Sequence, residues 1–166
     1  MRRVVAQPLT AEDFSPFGDV VSADLRSGIA MNQGTAVRID HAAALQHDRP
    51  DAQPNLVVAR CVAQKMPLQI KLLEQHPHST QCFLPMQCTR FLVCVAPKLA
   101  DGTPDLAGLK AFICLPAQGV NYHAGVWHHP IAALDGPADF AMLVWENGTA
   151  ADCVESWFAQ AVEVTE

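Results

Sequence analysis

The chain has 166 residues, half of them hydrophobic and only 17% charged, with a formal net charge of −6 at pH 7. That hydrophobicity excludes a disordered chain, and the acidic balance argues against nucleic acid or an anionic membrane as partner, since both reward basic patches. No apolar run approaches the ~20 residues of a membrane-spanning helix.

The length suits one domain, residues 1–166, with a full hydrophobic core. In chain order, Met1 to Pro8 carries a basic pair, but its apolar run stops at once, unlike a signal peptide, so a cytoplasmic protein is expected. Thr10-Ala11-Glu12-Asp13-Phe14 offers an N-cap with an acidic residue three positions on and predicts a short helix, ended by Pro16 and Gly18. Strand-length apolar runs follow at Leu56 to Val62, Leu68 to Leu73, Phe91 to Val95, Ala111 to Leu115 and Phe140 to Trp145. Their lengths and turn punctuation predict an antiparallel sandwich or barrel. Pro97 to Gly108 reads as an exposed hairpin loop, and the 12 prolines are scattered, as strand ends are. Near the C-terminus, Trp157 and Phe158 would cover a sheet edge, serve an interface or pack the chain end.

The six cysteines form no Cys-x-x-Cys pair, and most lie inside apolar runs such as Phe91-Leu92-Val93-Cys94-Val95. They read as reduced, structural thiols.

Two stretches carry groups capable of chemistry. In Leu68 to Gln81, alternation along a strand would put Leu68, Ile70 and Leu72 on one face, with Glu74 and His76 continuing it into the barrel. Alternatively the strand ends at Leu73, leaving both on a solvated rim. In Gly119 to Pro130, His123, His128 and His129 fall within seven residues, beside Asn121, Tyr122 and Trp127. That is a concentration of proton-transfer and ligand groups. His128 and His129 are neighbours in an extended chain, so only one of them should enter a given pocket.

Gly119-Val120-Asn121-Tyr122-His123 with Val126-Trp127-His128-His129-Pro130 resembles the signature of the ureidoglycolate lyase family. Glu74-x-His76-Pro77 followed by Gln81-x-Phe83-x-Pro85 resembles its other main motif. Agreement extends to Phe17-Gly18-Asp19-Val20, Asn32-x-Gly34 with Arg38, Arg60 and Asp139-Phe140, roughly from Leu9 to Phe140. The resemblance implies a mainly β, cupin-like double-stranded β-helix (a jelly-roll barrel) with one or two short helices, often dimeric. Compared with the ligand places of a metal-binding cupin, Glu74, His76, Gln81 and His128 would correspond, and Gln is a weak ligand for divalent transition metals. A divalent metal on Glu74, His76 and His128 is allowed, but no essential cofactor is expected.

The resemblance further implies a carbon–nitrogen lyase that splits ureidoglycolate into glyoxylate and urea, within allantoin and purine nitrogen catabolism. His128 would be the base and His76 or His123 the acid, with exchange of roles left open. Glu74 would orient a histidine, Gln81 and Asn121 would bond the urea group, and Arg38 would hold the carboxylate. Asn32, Tyr122 and Arg60 would also line the substrate site. Three positions depart from the family pattern: Gln75 and Trp145 stand where Arg is usual, and Met31 where Ile is. The lost arginines leave room for other readings: a shifted substrate, or a non-catalytic cupin binding a small carboxylate or ureide. A metal-dependent isomerase or oxygenase is disfavoured by Gln81 and Glu74 at the ligand places.

Overall fold

The computed structural model describes residues 2–166. The chain opens with β1 (Arg2–Val5) and β2 (Gln7–Pro8), then α1 (Ala11–Phe14) and β3 (Gly18–Val21). The helix starts where the sequence places it: the Thr10 hydroxyl caps it by accepting from the Asp13 N–H at 3.1 Å. A small hairpin of β4 (Ile29–Met31) and β5 (Ala36–Arg38) precedes β6 (Gln53–Cys61), β7 (Ala63–Gln64) and β8 (Leu68–Gln75). The chain continues through β9 (Gln81–Gln87), β10 (Arg90–Ala96), β11 (Lys110–Cys114), β12 (Gly119–Tyr122), β13 (Trp127–His128) and β14 (Ala132–Leu134). It finishes with β15 (Ala138–Glu146) and β16 (Val154–Thr165). Each expected apolar run is a strand, and the Pro97–Gly108 segment is the loop of the antiparallel β10–β11 hairpin.

Two sheets face each other, giving the expected mainly β, cupin-like barrel. The larger follows the order β1-β16-β8-β13-β10-β11-β2, with β14 beside β10 and β7; the smaller follows β3-β12-β9-β15-β6. β1 pairs with β16 while β2 pairs with β11, so seven residues of one segment tie together strands from opposite ends of the larger sheet. The sheet therefore curls. Phe91, Val93 and Val95 point into the core between the sheets with Phe83, Phe112, Val120, Tyr122 and Phe140. Leu92, Cys94 and Ala96, on the other face of β10, enter a second core with Ile70, Leu73, Trp127, Val162 and Val164. A strand buried on both faces reads as an unbroken apolar run, and β10 does.

All six cysteines are free; Cys82, Cys94 and Cys114 are buried, and burial pushes the Cys94 thiol up to about 12. Among the described residues, no helix is long and apolar enough to cross a membrane. The C-terminal segment is a full strand inside the larger sheet: Phe158 packs against the second core, whereas Trp157 is exposed.

Candidate active site

The β8 strand runs to Gln75, past the end that the rim reading required. Its alternation is not continuous. Ile70 and Leu73, three residues apart, are both fully buried in the second core. The phase break coincides with a bulge in the partner strand, where Ile70 pairs with Val162 but Leu72 pairs with Trp157. The expected single face is therefore corrected: Glu74 and His76 lie opposite Ile70, Leu73 and Gln75, on the side of the barrel interior.

Glu74 is the direct cross-strand partner of His128 on β13, so their side chains lie side by side. His128 Nε2 sits 3.6 Å from Glu74 Oε1, just beyond a hydrogen bond, with the histidine side chain 2% exposed and the glutamate 19%. Two rings lie nearly parallel to that of His128: Tyr122 of the facing sheet at 4.0 Å and 9°, and His76 at 5.7 Å and 22°. The turn after β12 fixes this approach, because the Gly125 N–H donates to the His76 carbonyl at 2.8 Å. Gly125 has φ +75°, a region that favours glycine.

Both histidines present the same nitrogen. Nδ1–H of His76 donates to the Asp152 carbonyl at 2.9 Å, and Nδ1–H of His128 donates to the Val126 carbonyl at 2.9 Å. Each is thereby held in the tautomer whose Nε2 carries a bare lone pair. Those two Nε2 atoms, the Tyr122 hydroxyl and Gln81 Oε1 are all buried without a partner. Gln81 is the cross-strand neighbour of Tyr122, and its amide N–H donates to the Met142 sulfur at 3.1 Å. Four orphaned polar atoms on neighbouring buried side chains are costly unless something meets them.

Burial pulls the His76 pKa down, helped by the charge of His128, so the ring is kept neutral against the opposing pull of Glu74. For Glu74 burial acts upward, but contact with His128 and the neighbouring histidines outweighs it and holds the carboxyl below its usual range. Burial also raises the Tyr122 hydroxyl well above its ordinary value, so it remains a donor.

Glu74, His76 and His128 also offer one ligand atom each within 4.8 Å of one another. A carboxylate with two imidazoles, each imidazole fixed by a backbone carbonyl through its other nitrogen, fits a divalent ion.

The other sequence-level candidates lie elsewhere. His123 is exposed in the turn between β12 and β13 and is outside the trio. Asn121 alternates away from Tyr122, and its amide donates to Asp19 at 3.0 Å and to the Ala44 carbonyl at 3.1 Å, a structural commitment. Arg38 is exposed on the β4–β5 hairpin and paired with Asp40; Asn32 is exposed at the tip of that hairpin. Arg60 is paired with Asp139 on the surface. Of the departures from the family pattern, Gln75 faces away from Glu74 and His76, near Gly125, while Trp145 stacks on His47 at 5.3 Å. His129 is partly buried, with its Nδ1–H on the Pro130 carbonyl.

Sequence reasoning missed the residues that aim the rings. The Asp152 and Val126 carbonyls act as backbone acceptors, which residue type does not reveal. One signal was legible: Thr149-x-x-Asp152 is a capping box, and it forms. Cys153 next to it brings its thiol 3.9 Å from Glu74 Oε2, which with burial pushes the thiol up to about 11.

The family model described as ureidoglycolate lyase matches residues 1–165. A ureidoglycolate lyase of Pseudomonas savastanoi pv. phaseolicola is 38% identical over 161 residues, covering 97% of this chain and 93% of that protein. Those of Pseudomonas syringae pv. syringae and Pseudomonas fluorescens Pf-5 are 37% and 38% identical, each over 161 residues; the alignments cover 97% and 96% of this chain, and 93% and 94% of those proteins. RmlC from Streptococcus suis in complex with dTDP-D-xylose is a partial structural likeness, with TM-score 0.41 and 11% identity over 60% of this chain and 46% of that one. Matched by the family model along almost its whole length, the chain belongs to the ureidoglycolate lyase family.

Proposed function

We propose that the chain is a carbon–nitrogen lyase that cleaves ureidoglycolate to glyoxylate and urea, with its own side chains moving the protons. The carrying observation is the pair of bare Nε2 atoms of His76 and His128, buried beside Glu74. Ureidoglycolate bears a hydroxyl, a carboxylate and a ureido nitrogen on one carbon. Cleavage removes the hydroxyl proton, forms the aldehyde C=O, breaks the C–N bond and adds a proton to the departing nitrogen.

His76, whose buried Nε2 lone pair has no partner and whose pKa burial pulls down, takes the hydroxyl proton. The proton that His76 takes passes to the departing ureido nitrogen by way of the neighbouring His128 Nε2, where the Glu74 carboxylate stabilises the transient imidazolium. This takes the exchanged assignment that the sequence leaves open, and the exposure of His123 speaks against a part for it. Tyr122 O–H is a free donor for a substrate oxygen, and Gln81 Oε1 a free acceptor for a ureido N–H. Arg38 and Arg60 already have carboxylate partners, so substrate orientation falls to these two neutral groups. Where a divalent ion is bound, Glu74, His76 and His128 would hold it and it would polarise a substrate oxygen as a Lewis acid.

We read residues 1–166 as one catalytic domain working in the cytoplasm as a homodimer. Support for pairing comes from the outer face of the smaller sheet, where Leu56, Val58 and Met86 are 72%, 65% and 62% exposed. Sedimentation at equilibrium should give twice the chain mass, and a purely monomeric protein would refute pairing. Proton NMR of ureidoglycolate incubated with the protein should show glyoxylate appearing with an equal amount of urea. Release of ammonia in place of urea, or no turnover, would overturn the lyase reading.

A further inference from the structure

Arg49 lies 98 residues or more from the segment it grips. One guanidinium nitrogen donates to Asp152 Oδ1 at 2.8 Å, to Asn147 Oδ1 at 2.8 Å and to the Thr149 hydroxyl at 3.3 Å. The Asp152 carboxylate also receives three backbone N–H groups, from Asn147 at 3.2 Å, Gly148 at 2.7 Å and Thr149 at 3.1 Å. The ion pair is sheltered, with side chains 14% and 13% exposed. Asn147 is in turn pinned by its amide N–H to Asp51 at 3.1 Å. Arg49 and three backbone N–H groups of the β15–β16 turn thus converge on one carboxylate. The backbone carbonyl of the same residue accepts the His76 Nδ1–H at 2.9 Å.

We propose that the Arg49–Asp152 pair is the positioning device for His76: it holds the turn so that the Asp152 carbonyl fixes the tautomer and tilt of that ring. The proposal rests on the acid/base reading of His76 and names residues to which neither the family pattern nor the trio draws attention. A side-chain carboxylate could accept from the ring at either nitrogen and would bring charge against Glu74. A backbone carbonyl aims the ring without charge, but it is only as well placed as the turn that carries it. Arg49 makes all three contacts through one nitrogen, so the shorter lysine, whose ammonium also carries several N–H donors on one nitrogen, should keep part of the grip.

The test compares wild type with Arg49→Met, Arg49→Lys and Asp152→Asn, the last keeping the carbonyl while weakening the pair. Long-range proton–nitrogen NMR at pH 8, with the His76 signal assigned through His76→Gln, reads the ring directly. The proposal expects a single Nδ1–H tautomer in wild type and a tautomer mixture in Arg49→Met. It also expects kcat on ureidoglycolate to fall about 10–100-fold with KM changed by less than about threefold, and Arg49→Lys to lie between. Should Arg49→Met fail to fold, Asp152→Asn carries the same two readouts. A His76 ring that stays in one tautomer in the variants overturns the proposal, whether or not kcat falls. If wild type turns over no ureidoglycolate, the lyase reading fails, and the tautomer change alone decides the positioning role.

Discussion

Replacing His128 by asparagine separates its chemistry from its packing. The asparagine amide can still donate to the Val126 carbonyl that His128 Nδ1–H reaches at 2.9 Å, but nothing remains where Nε2 stood, 3.6 Å from Glu74. Loss of one positioned acid/base group costs about 10²–10⁴ in rate, or about 2.7–5.5 kcal/mol of barrier at 1.36 kcal/mol per tenfold. The ring is 2% exposed and stacked at 4.0 Å on Tyr122, so the variant also loses packing. A cost of about 1–2 kcal/mol, below the 3–5 of full aromatic truncation, lowers Tm by about 2–8 °C for a chain of this size. The assay is the initial rate of urea release at 25 °C, with Tm measured on the same sample. A folded variant within tenfold of the wild-type rate would refute the role of Nε2.

Tyr122→Phe should raise Tm slightly while lowering kcat/KM, because the hydroxyl is buried without a partner and its removal relieves about 1 kcal/mol or more of unmet bonding; a lower Tm with full activity would show that the hydroxyl is structural. Burial pulls both His76 and His129 below the ordinary histidine value, so the unfolded chain takes up protons first as pH falls. Stability is then fully present above about pH 6.5 and declines below it, by up to about 1.4 kcal/mol per pH unit for each ring; Tm at pH 7.5, 6.5 and 5.5 should fall progressively, and less steeply in His76→Gln. Depression of the Glu74 pKa extends the loss to still lower pH. Zinc or manganese at about 100 times its Kd should add about 2.7 kcal/mol of stability to wild type and much less to His76→Gln; equal shifts in both would place the ion elsewhere.

The barrel was legible because β10 and its neighbours announce themselves as apolar runs with clear turns. The trio was legible too, since Glu74, His76 and His128 are polar groups set beside core residues. What stayed hidden depends on partners distant in sequence. The phase break between Ile70 and Leu73 coincides with the bulge in β16, a strand that the residues around Trp157 and Phe158 do not announce as one. Arg38, Arg60 and Asn121 have chemistry suited to the substrate, but Asp40, Asp139 and Asp19 claim them first. Gln75 loses its significance for the pocket through the same alternation that brings Glu74 into it. Arg49 gave no signal because its worth lies in the turn it holds, 98 residues away and more.

The most direct test is the rate of urea release by wild type, His76→Gln and His128→Asn after thorough treatment with a chelator. Wild type should retain its turnover, and each histidine variant should fall at least about a hundredfold. Loss of wild-type turnover on chelation, or histidine variants that keep it, would contradict a lyase driven by its own acid/base pair.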